Sequence, residues 1–459
     1  MNDTILAIDI GSTKISSVIA NISPKVHILG HGVAPSQGIK KGTISNIELA
    51  SKSIKNAVND AKRVSGTNIS KAIVTISNAY AKSINSNGIV NLPNNEITIK
   101  EINRVMQTAL YNAKIPDEYE VIHVLPYNFT VDDQDFVEDP FGMNASRLEV
   151  NVNIILTQKS SFSNLKKAVM SAGLDISGIV LSGYASAISS MTEEEKSHGV
   201  AVIDMGGQTS NLVVHVGNSI RYNDFLGVGS NHITNDLSMA LHTPLQTAEK
   251  IKIKYANLLE TTNETIEVPI IGDEENLKSV SLEMVYNVVF ARVEEALMIL
   301  SNSLDKSTLK EQLGSGIILT GGMSKLKGIR ELAQSVFNGL PVRLAQPHNI
   351  DGLFDELKDP SYSAVIGLLL YKAGQHTHYE IDFQQKLLHT KEEYKENLSD
   401  IKLNNGHDKY SANKLEIELA EKEPNPNADN NLLFEELDDL KSNNNGFFKK
   451  LSNWIKQLF

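Results

Sequence analysis

The chain has 459 residues, more than one apolar core organises, so two lobes or more are expected. It contains no cysteine, which excludes disulfides and thiolate chemistry and is compatible with a reducing compartment. The net charge of -12 argues against a nucleic-acid binder, and 16 acids against 8 bases fall in Gly374–Asn445, leaving the rest nearly balanced.

The start, MNDTILAIDI, lacks the basic-then-apolar pattern of a signal peptide, and no run approaches the roughly 20 apolar residues of a spanning helix. Ile5–Ile8 is an apolar run long enough for one buried strand. Asp9 ends it, Gly11 opens a turn, Ser12, Thr13 and Lys14 add hydroxyls and a cation, and Ile15–Ile19 returns as a strand. A glycine turn bares backbone amides that can cradle phosphate oxygens. A carboxylate beside them repels phosphate but can hold Mg²⁺, which neutralises it. Ile47–Val64 has helical spacing through Ile47, Ala50, Ile54, Ala57, Val58 and Ala61, and Lys71–Ser77 returns to strand. From Ala81 to Lys159 the chain predicts a strand pair broken at Asn87-Gly88, then a helix entered near Thr98. Strand-like runs follow at Glu120–Leu125 and Arg147–Leu156, with a loop at Asp139–Gly142. This stretch has no phosphate-type turn and reads as a compact insert. Ser163–Ala172 looks helical.

Gly199–Gly217, GVAVIDMGGQTSNLVVHVG, repeats the N-terminal logic. Val200–Ile203 is a strand, Asp204 ends it, Gly206 and Gly207 turn, Gln208, Thr209 and Ser210 are polar, and Leu212–Val216 resumes. Such a repeat suggests two similar lobes facing one cleft. No GxxxxGK[ST] occurs, so the chain is not a P-loop protein. Gly227 and Gly229 turn ahead of a helix from Ser230 or Asn231, and the next helix carries Glu249 and Lys252 on one face. Ser281–Leu300 is a long amphipathic helix with a stripe of Leu282, Val285, Val288, Val289, Val293, Leu297 and Leu300, and Arg292 off it. Gly314–Ile329 predicts a strand, a Thr320-Gly321-Gly322 turn, Met323, and a helix from Ser324, a place where a flat ring or phosphate can approach backbone. A last helix runs through Ala364–Leu370.

Gly374–Asn445 is rich in Asn, Glu, Lys and Asp and predicts a disordered linker with a mean span of roughly 45–50 Å. In the closing GFFKKLSNWIKQLF, Phe447, Phe448, Leu451, Trp454, Ile455, Leu458 and Phe459 fill one helical face and three lysines lie on the other. That length suits a helix lying in a membrane interface, each large side chain adding about 1.5–3 kcal/mol if deeply buried and each lysine up to about 1 kcal/mol against anionic lipid.

Two aspartate hairpins followed by LTGG resemble the actin-like ATPases, the superfamily of actin, Hsp70 and the sugar kinases, over about residues 1–373. The resemblance implies an α/β, ribonuclease H-like, two-lobed fold with ATP and Mg²⁺ between the lobes. It implies that Asp9, Gly11, Ser12, Thr13 and Lys14 form the first phosphate motif, and Asp204, Gly206, Gly207, Gln208 and Thr209 the second, with Gly229 in the same site. Asp9 and Asp204 would hold the metal, Glu249 and Lys252 would reach ribose and adenine, and Gly321, Gly322 and Met323 match the adenosine motif. The insert and the tail together resemble the FtsA family of bacterial cell-division proteins. Actin, Hsp70 and MreB carry a different insert, 1B, and neither MreB nor PilM has a long linker ending in such a helix. The implied organisation is 1–80 as subdomain 1A, 81–159 as the inserted 1C, 160–198 as the return to 1A, and 199–373 as the second lobe (2A, with 2B at about 240–310). The linker is 374–445 and the membrane-targeting helix 446–459. The family implies an ATP-binding protein that self-associates into filaments and binds the C-terminal tail of FtsZ at 2B, with Arg292 involved. It also implies contact with other division proteins through 1C, and attachment to the cytoplasmic face of the inner membrane at the division septum. Ser182 stands where MreB-like relatives carry the acid that positions the attacking water, so at most slow hydrolysis is expected. The alternatives are a PilM- or MreB-like homologue in another membrane-associated assembly, or a small-molecule kinase, which needs a general base that the sequence does not offer. An Hsp70-type chaperone would need a β-rich domain after residue 373.

Overall fold

In the computed structural model, which describes residues 4–23 and 25–388, the strand Thr4–Ile10 buries Leu6, Ala7 and Ile8 completely, as its unbroken apolar run requires. It pairs antiparallel with Lys14–Asn21, which pairs in turn with His27–Pro35. On its other side Lys71–Ile76 and then Asp175–Leu181 run parallel. A second five-stranded sheet repeats this order. Val200–Met205 pairs antiparallel with Ser210–Val216, followed by Ser219–Leu226, and on its other side Ile317–Thr320 and Val342–Leu344 run parallel. Each sheet therefore carries its aspartate at the end of the strand where antiparallel meander meets parallel pair, a crevice position in open α/β sheets.

The helices Ser182–Ser190 and Ser363–Lys372 cross on each other and are buried along nearly their whole lengths. They meet closely at Gly367, where an added Cβ would lie 1.8 Å from the Ala185 carbonyl oxygen. Helix Ile47–Ser65 lays Ala50, Ile54, Ala57, Val58 and Ala61 on the first sheet. Asn46 caps its start by accepting from Leu49 N–H, and Gly66, at φ 65°, ends it in the left-handed region. In the second lobe, helix Leu282–Lys306 buries Val285, Val289, Val293, Leu297 and Leu300 and runs six residues beyond the Leu300 expected from the sequence.

The expected insert has its own sheet, in the order Lys82–Asn91, Arg147–Gln158, Tyr119–Val131, Gln134–Val137, covered by helix Ile99–Asn112 with Thr98 as N-cap. Three expectations are corrected. Asn87-Gly88 is no turn: Lys82–Asn91 is one continuous strand. Gly88 lies under the helix, where a Cβ would come within 2.3 Å of the Val105 carbonyl oxygen. The helix expected from Ser324 begins at Ile329, after a short 3-10 turn over Gly322–Lys325. The linker does not begin at Gly374. Tyr379 and Ile381 are buried in the insert's core, and Val124 and Ile381 exchange backbone hydrogen bonds of 2.9 and 3.0 Å.

Glu380, fully buried, is tied in from several sides. Its Oε1 accepts from His123 Nδ1–H at 2.6 Å and Tyr371 OH at 2.7 Å, and its Oε2 from Tyr184 OH at 3.1 Å. His123 Nε2 accepts from the Leu181 N–H at 3.1 Å, so the ring carries its proton on Nδ1. The remainder of the expected linker and the helix 446–459, with Phe447, Phe448, Leu451, Trp454, Ile455, Leu458 and Phe459, lie outside the described residues. Among the described residues no helix is long and apolar enough to cross a membrane.

Candidate functional site

Both aspartate turns open into one cavity of about 720 Å³. Asp9, Gly11, Ser12, Thr13 and Lys14 line it from the first lobe, and Asp204, Gly206, Gly207 and Thr209 from the second. The two carboxylates are held differently. Thr75 Oγ1 donates to Asp9 Oδ1 at 2.9 Å and itself accepts from Ile10 N–H. Asp204 Oδ2 accepts from Ser186 Oγ at 2.6 Å, from the buried helix Ser182–Ser190. Burial raises the Asp9 carboxyl above its usual value, against the pull of Thr75 and Lys14. Burial pushes Asp204 up to about 6, against the Ser186 bond and with the help of the charge on Asp9. Two desolvated carboxylates sharing a cavity favour a bound cation.

The glycines are required by close approach. A Cβ on Gly11 would lie 2.7 Å from the Lys14 carbonyl oxygen, and one on Gly207 only 1.8 Å from Thr13 Oγ1, so the two turns touch. Gly321, at φ 84°, would place a Cβ 2.3 Å from Asp204 Oδ1. Gly322 is different: its Cβ would meet only Ser361 Cβ at an ordinary 3.5 Å. Gly321, Gly322 and Met323 all line the cavity.

Lys14 Nζ donates to Ser361 Oγ at 2.8 Å and lies 3.1 Å over the Tyr362 ring. Burial lowers its pKa to about 8, with Asp9 and Asp359 opposing. Ser361 and Tyr362 were not among the residues read from the sequence; the short DPSY turn carries no pattern of its own. Glu249 and Lys252 line the far end, paired at 2.7 Å, and Lys252 Nζ also donates to Thr234 Oγ1 at 2.9 Å and to the Ser230 carbonyl at 3.2 Å. Ile253, three-quarters exposed, and Leu326 add apolar surface there.

Three of the expected residues lie off the cavity. Gln208 turns away and its Oε1 accepts from Lys41 N–H at 2.9 Å, bridging the lobes at the rim. Gly229 sits behind the second turn, where a Cβ would be 2.5 Å from the Gly206 carbonyl oxygen. Arg292, expected at a partner surface rather than in the cleft, does not line the cavity. Its guanidinium is gripped by Asp236 at 2.5 and 3.1 Å and by Glu295 at 2.6 Å, leaving the side chain 18% exposed. Ser182 lines the cavity floor, its hydroxyl 3.3 Å from Asn78 Oδ1. Among the described residues no three His, Asp or Glu side chains cluster as a complete metal site. Two carboxylates with phosphate oxygens and water are the donor set Mg²⁺ commonly takes, so the residues fit that ion.

Duplicated sheets, each presenting an aspartate turn to one shared cleft, define an actin-like fold. Solved structures agree. A chain of the PilM-PilN type IV pilus biogenesis complex matches with TM-score 0.58 at 18% identity, covering 80% of this chain and 98% of that one. MreB5 of Spiroplasma citri, bound to ADP, matches with TM-score 0.50 at 12% identity over 81% and 97%. Residues 201–367 match the family "Cell division protein FtsA", and residues 78–156 match "SHS2 domain inserted in FTSA". Cell division protein FtsA of Helicobacter pylori (strain ATCC 700392 / 26695) is 40% identical over 413 residues, 83% of this chain and 84% of that protein. The Escherichia coli (strain K12) protein of the same name is 30% identical over 395 residues, 83% and 93%. The chain belongs to the FtsA family of cell-division proteins.

Proposed function

We propose that this chain binds ATP with Mg²⁺ in the cleft and works as a nucleotide-switched tether. In this reading it self-associates into filaments, holds FtsZ by its C-terminal tail, and is fixed to the cytoplasmic face of the inner membrane at the division septum by residues 446–459. The convergence of two half-buried aspartates on one cavity carries the nucleotide part. Mg²⁺, held by Asp9 and Asp204 through water, would neutralise phosphate charge that the carboxylates otherwise repel. The turns at Gly11 and Gly206-Gly207, with Thr13, Lys14 and Thr209, bind the phosphates. Ile253, Leu326 and the Glu249–Lys252 pair enclose the nucleoside. Ser182 supplies no base to activate water, so the nucleotide acts chiefly by occupancy. The insert is assigned contacts with other division proteins, and the second lobe's outer part the FtsZ tail.

Co-sedimentation with FtsZ and vesicles containing anionic phosphatidylglycerol, with and without ATP, tests the tether. The full chain pellets with both, whereas a chain lacking Gly446–Phe459 still pellets with FtsZ but stays in the supernatant with vesicles alone. Vesicle binding by the shortened chain would remove the membrane role. Arg292 can meet a partner carboxylate only by exchanging Asp236 or Glu295. Arg292→Ala should therefore cut FtsZ co-sedimentation several-fold while vesicle binding is unchanged; unchanged FtsZ binding would remove Arg292 from the docking site.

A further inference from the structure

Two helices of the first lobe carry a charge opposite to that of the chain as a whole. Ile47–Ser65 and Lys159–Ser171 pack side by side on the first sheet. They lead into Lys71–Ile76 and Asp175–Leu181, which run parallel with Asp175 opposite Lys71, so both helices end at the same margin of the sheet. Ile47–Ser65 has four bases, Lys52, Lys55, Lys62 and Arg63, against Glu48 and Asp60. Lys159–Ser171 adds three more, Lys159, Lys166 and Lys167, and no acid. Seven bases against two acids thus sit on one layer of a chain whose net charge is -12.

Helix stability does not account for these bases. A cation suits the last turn of a helix, where Lys62 and Arg63 lie, and is opposed by the positive start. Lys159 is the first residue of its helix, and Lys52 and Lys55 stand in the N-terminal half of theirs. Ion pairing does not account for them either. Among the described residues Arg63 pairs with Asp60 at 3.2 Å, whereas Lys52, Lys55, Lys159 and Lys167 are exposed and have no carboxylate partner. Apolar side chains interrupt the basic surface where the two helices end: Met170 is 63% exposed and Val64 49%.

The described chain ends beside the same layer. Phe383 meets the Phe162 ring of Lys159–Ser171 edge-on, with centroids 6.4 Å apart, and Lys166 Nζ lies 4.2 Å over the Phe162 ring. Leu388, the last described residue, packs against the first lobe's core and donates its N–H to the Glu380 carbonyl at 2.8 Å. The residues after Leu388 therefore depart from the side of the basic layer and not from the second lobe.

We propose that the outer face of these two helices is a second lipid contact, which lies on an anionic membrane surface with its lysines at the headgroup phosphates and Met170 and Val64 between the headgroups. This rests on the reading that residues 446–459 anchor the chain, and goes beyond it: the tail supplies attachment and the face supplies orientation. Tethering raises the local concentration of the face at the bilayer, so contacts too weak to hold the body alone become effective. Each base that comes within a Debye length of the anionic surface, about 8 Å, is drawn to it. A body held in this way has one orientation on the bilayer instead of many.

Full-length protein is titrated with vesicles of phosphatidylcholine alone and of phosphatidylcholine with phosphatidylglycerol. Lys52→Gln, Lys55→Gln and Lys167→Gln together should lower affinity for the anionic vesicles by about tenfold or more, weaken its salt dependence, and leave binding to the neutral vesicles unchanged. Lys250→Gln, Lys278→Gln and Lys306→Gln remove the same charge from the second lobe and should change the affinity by less than about twofold. The chain has no cysteine, so a single label reports depth. A fluorophore on Met170→Cys, with every lysine in place, should be quenched by lipids spin-labelled at the headgroup, and one on Met239→Cys, exposed on the second lobe, should not. Equal affinity of the two triple variants, or quenching at Met239 as strong as at Met170, overturns the face and leaves the tail anchor standing. So does tighter binding by the first variant, the result expected if its lysines instead hold acidic residues of this chain. A full-length chain that binds no anionic vesicle overturns the tether reading and the face with it.

Discussion

Thr13 Oγ1 stands where a side chain on Gly207 would begin, so the turns of the two lobes meet with no room for a methyl group. Gly207→Ala must part them. The expected result is at least a tenfold loss of ATP affinity, about 1.4 kcal/mol, in a fluorescent-analogue titration; an unchanged affinity would show that the turns do not act together. Lys14 gives a pH test. Burial lowers its folded-state pKa from 10.5 to about 8, so the fold favours the neutral amine. The charged form therefore costs stability below pH 8, and the cost disappears as pH rises from there towards 10.5. Phosphate binding needs the cation, so affinity should fall as pH rises from 7.5 to 9.5, with proton uptake on binding at pH 8.5 in calorimetry across buffers. Lys14→Arg should flatten the profile. The turns that carry Asp9 and Asp204 were legible because each follows an apolar strand and precedes a glycine turn, a local pattern. The inward or outward aim of Gln208 and the backing role of Gly229 depend on Lys41 and on the Gly206 carbonyl, which no local pattern encodes.

Elements whose apolar residues lie on one face are legible from their periodicity; of the two helices buried nearly all round, Ser363–Lys372 is expected from its unbroken apolar run, but Ser182–Ser190, made mostly of small and polar residues, is not. Helix Ile47–Ser65 alternates exposed and buried positions at helical spacing, whereas Ser182–Ser190 is buried at every residue but its first and so has no periodicity to detect. Asn87-Gly88 was misread for a related reason. The pair is a common hairpin signal, but here glycine serves the close crossing of helix Ile99–Asn112 over its strand. A methyl group at Gly88 would sit 2.3 Å from the Val105 carbonyl oxygen. Gly88→Ala should therefore lower stability by about 1–3 kcal/mol through overpacking, seen as a shifted midpoint in urea unfolding. If Gly88 were instead a turn glycine at a tip, the substitution would act only through local backbone strain, and helix-specific protection in hydrogen exchange would be unaffected.

At the scale of the molecule the duplicated sheet order was inferable from two similar hairpins, but the closure of the insert by the chain's later residues was not. His123 and Glu380 are separated by 257 positions, and the segment after Gly374 looked like the start of a polar linker because its apolar residues are few. Those few are well placed. Tyr379 and Ile381 enter the insert's core, and Glu380 gathers hydrogen bonds from His123, Tyr184 and Tyr371 in a site with no access to water. Ending the chain after Ala373 would strip the insert of both apolar side chains, at about 1.5–3 kcal/mol each, and leave His123 Nδ1 without its acceptor. Ending it after Leu388 removes none of these contacts. The two shortened chains should therefore differ by about 3–6 kcal/mol in urea unfolding, with the longer one matching the full chain. Hydrogen exchange should place the loss in Tyr119–Val131 and Arg147–Gln158 rather than in the sheet around Asp204. Equal stability of the two chains would mean that the segment lies on the insert without holding it. A difference confined to the shorter chain would make Tyr379, Glu380 and Ile381 part of the insert's fold rather than of a linker.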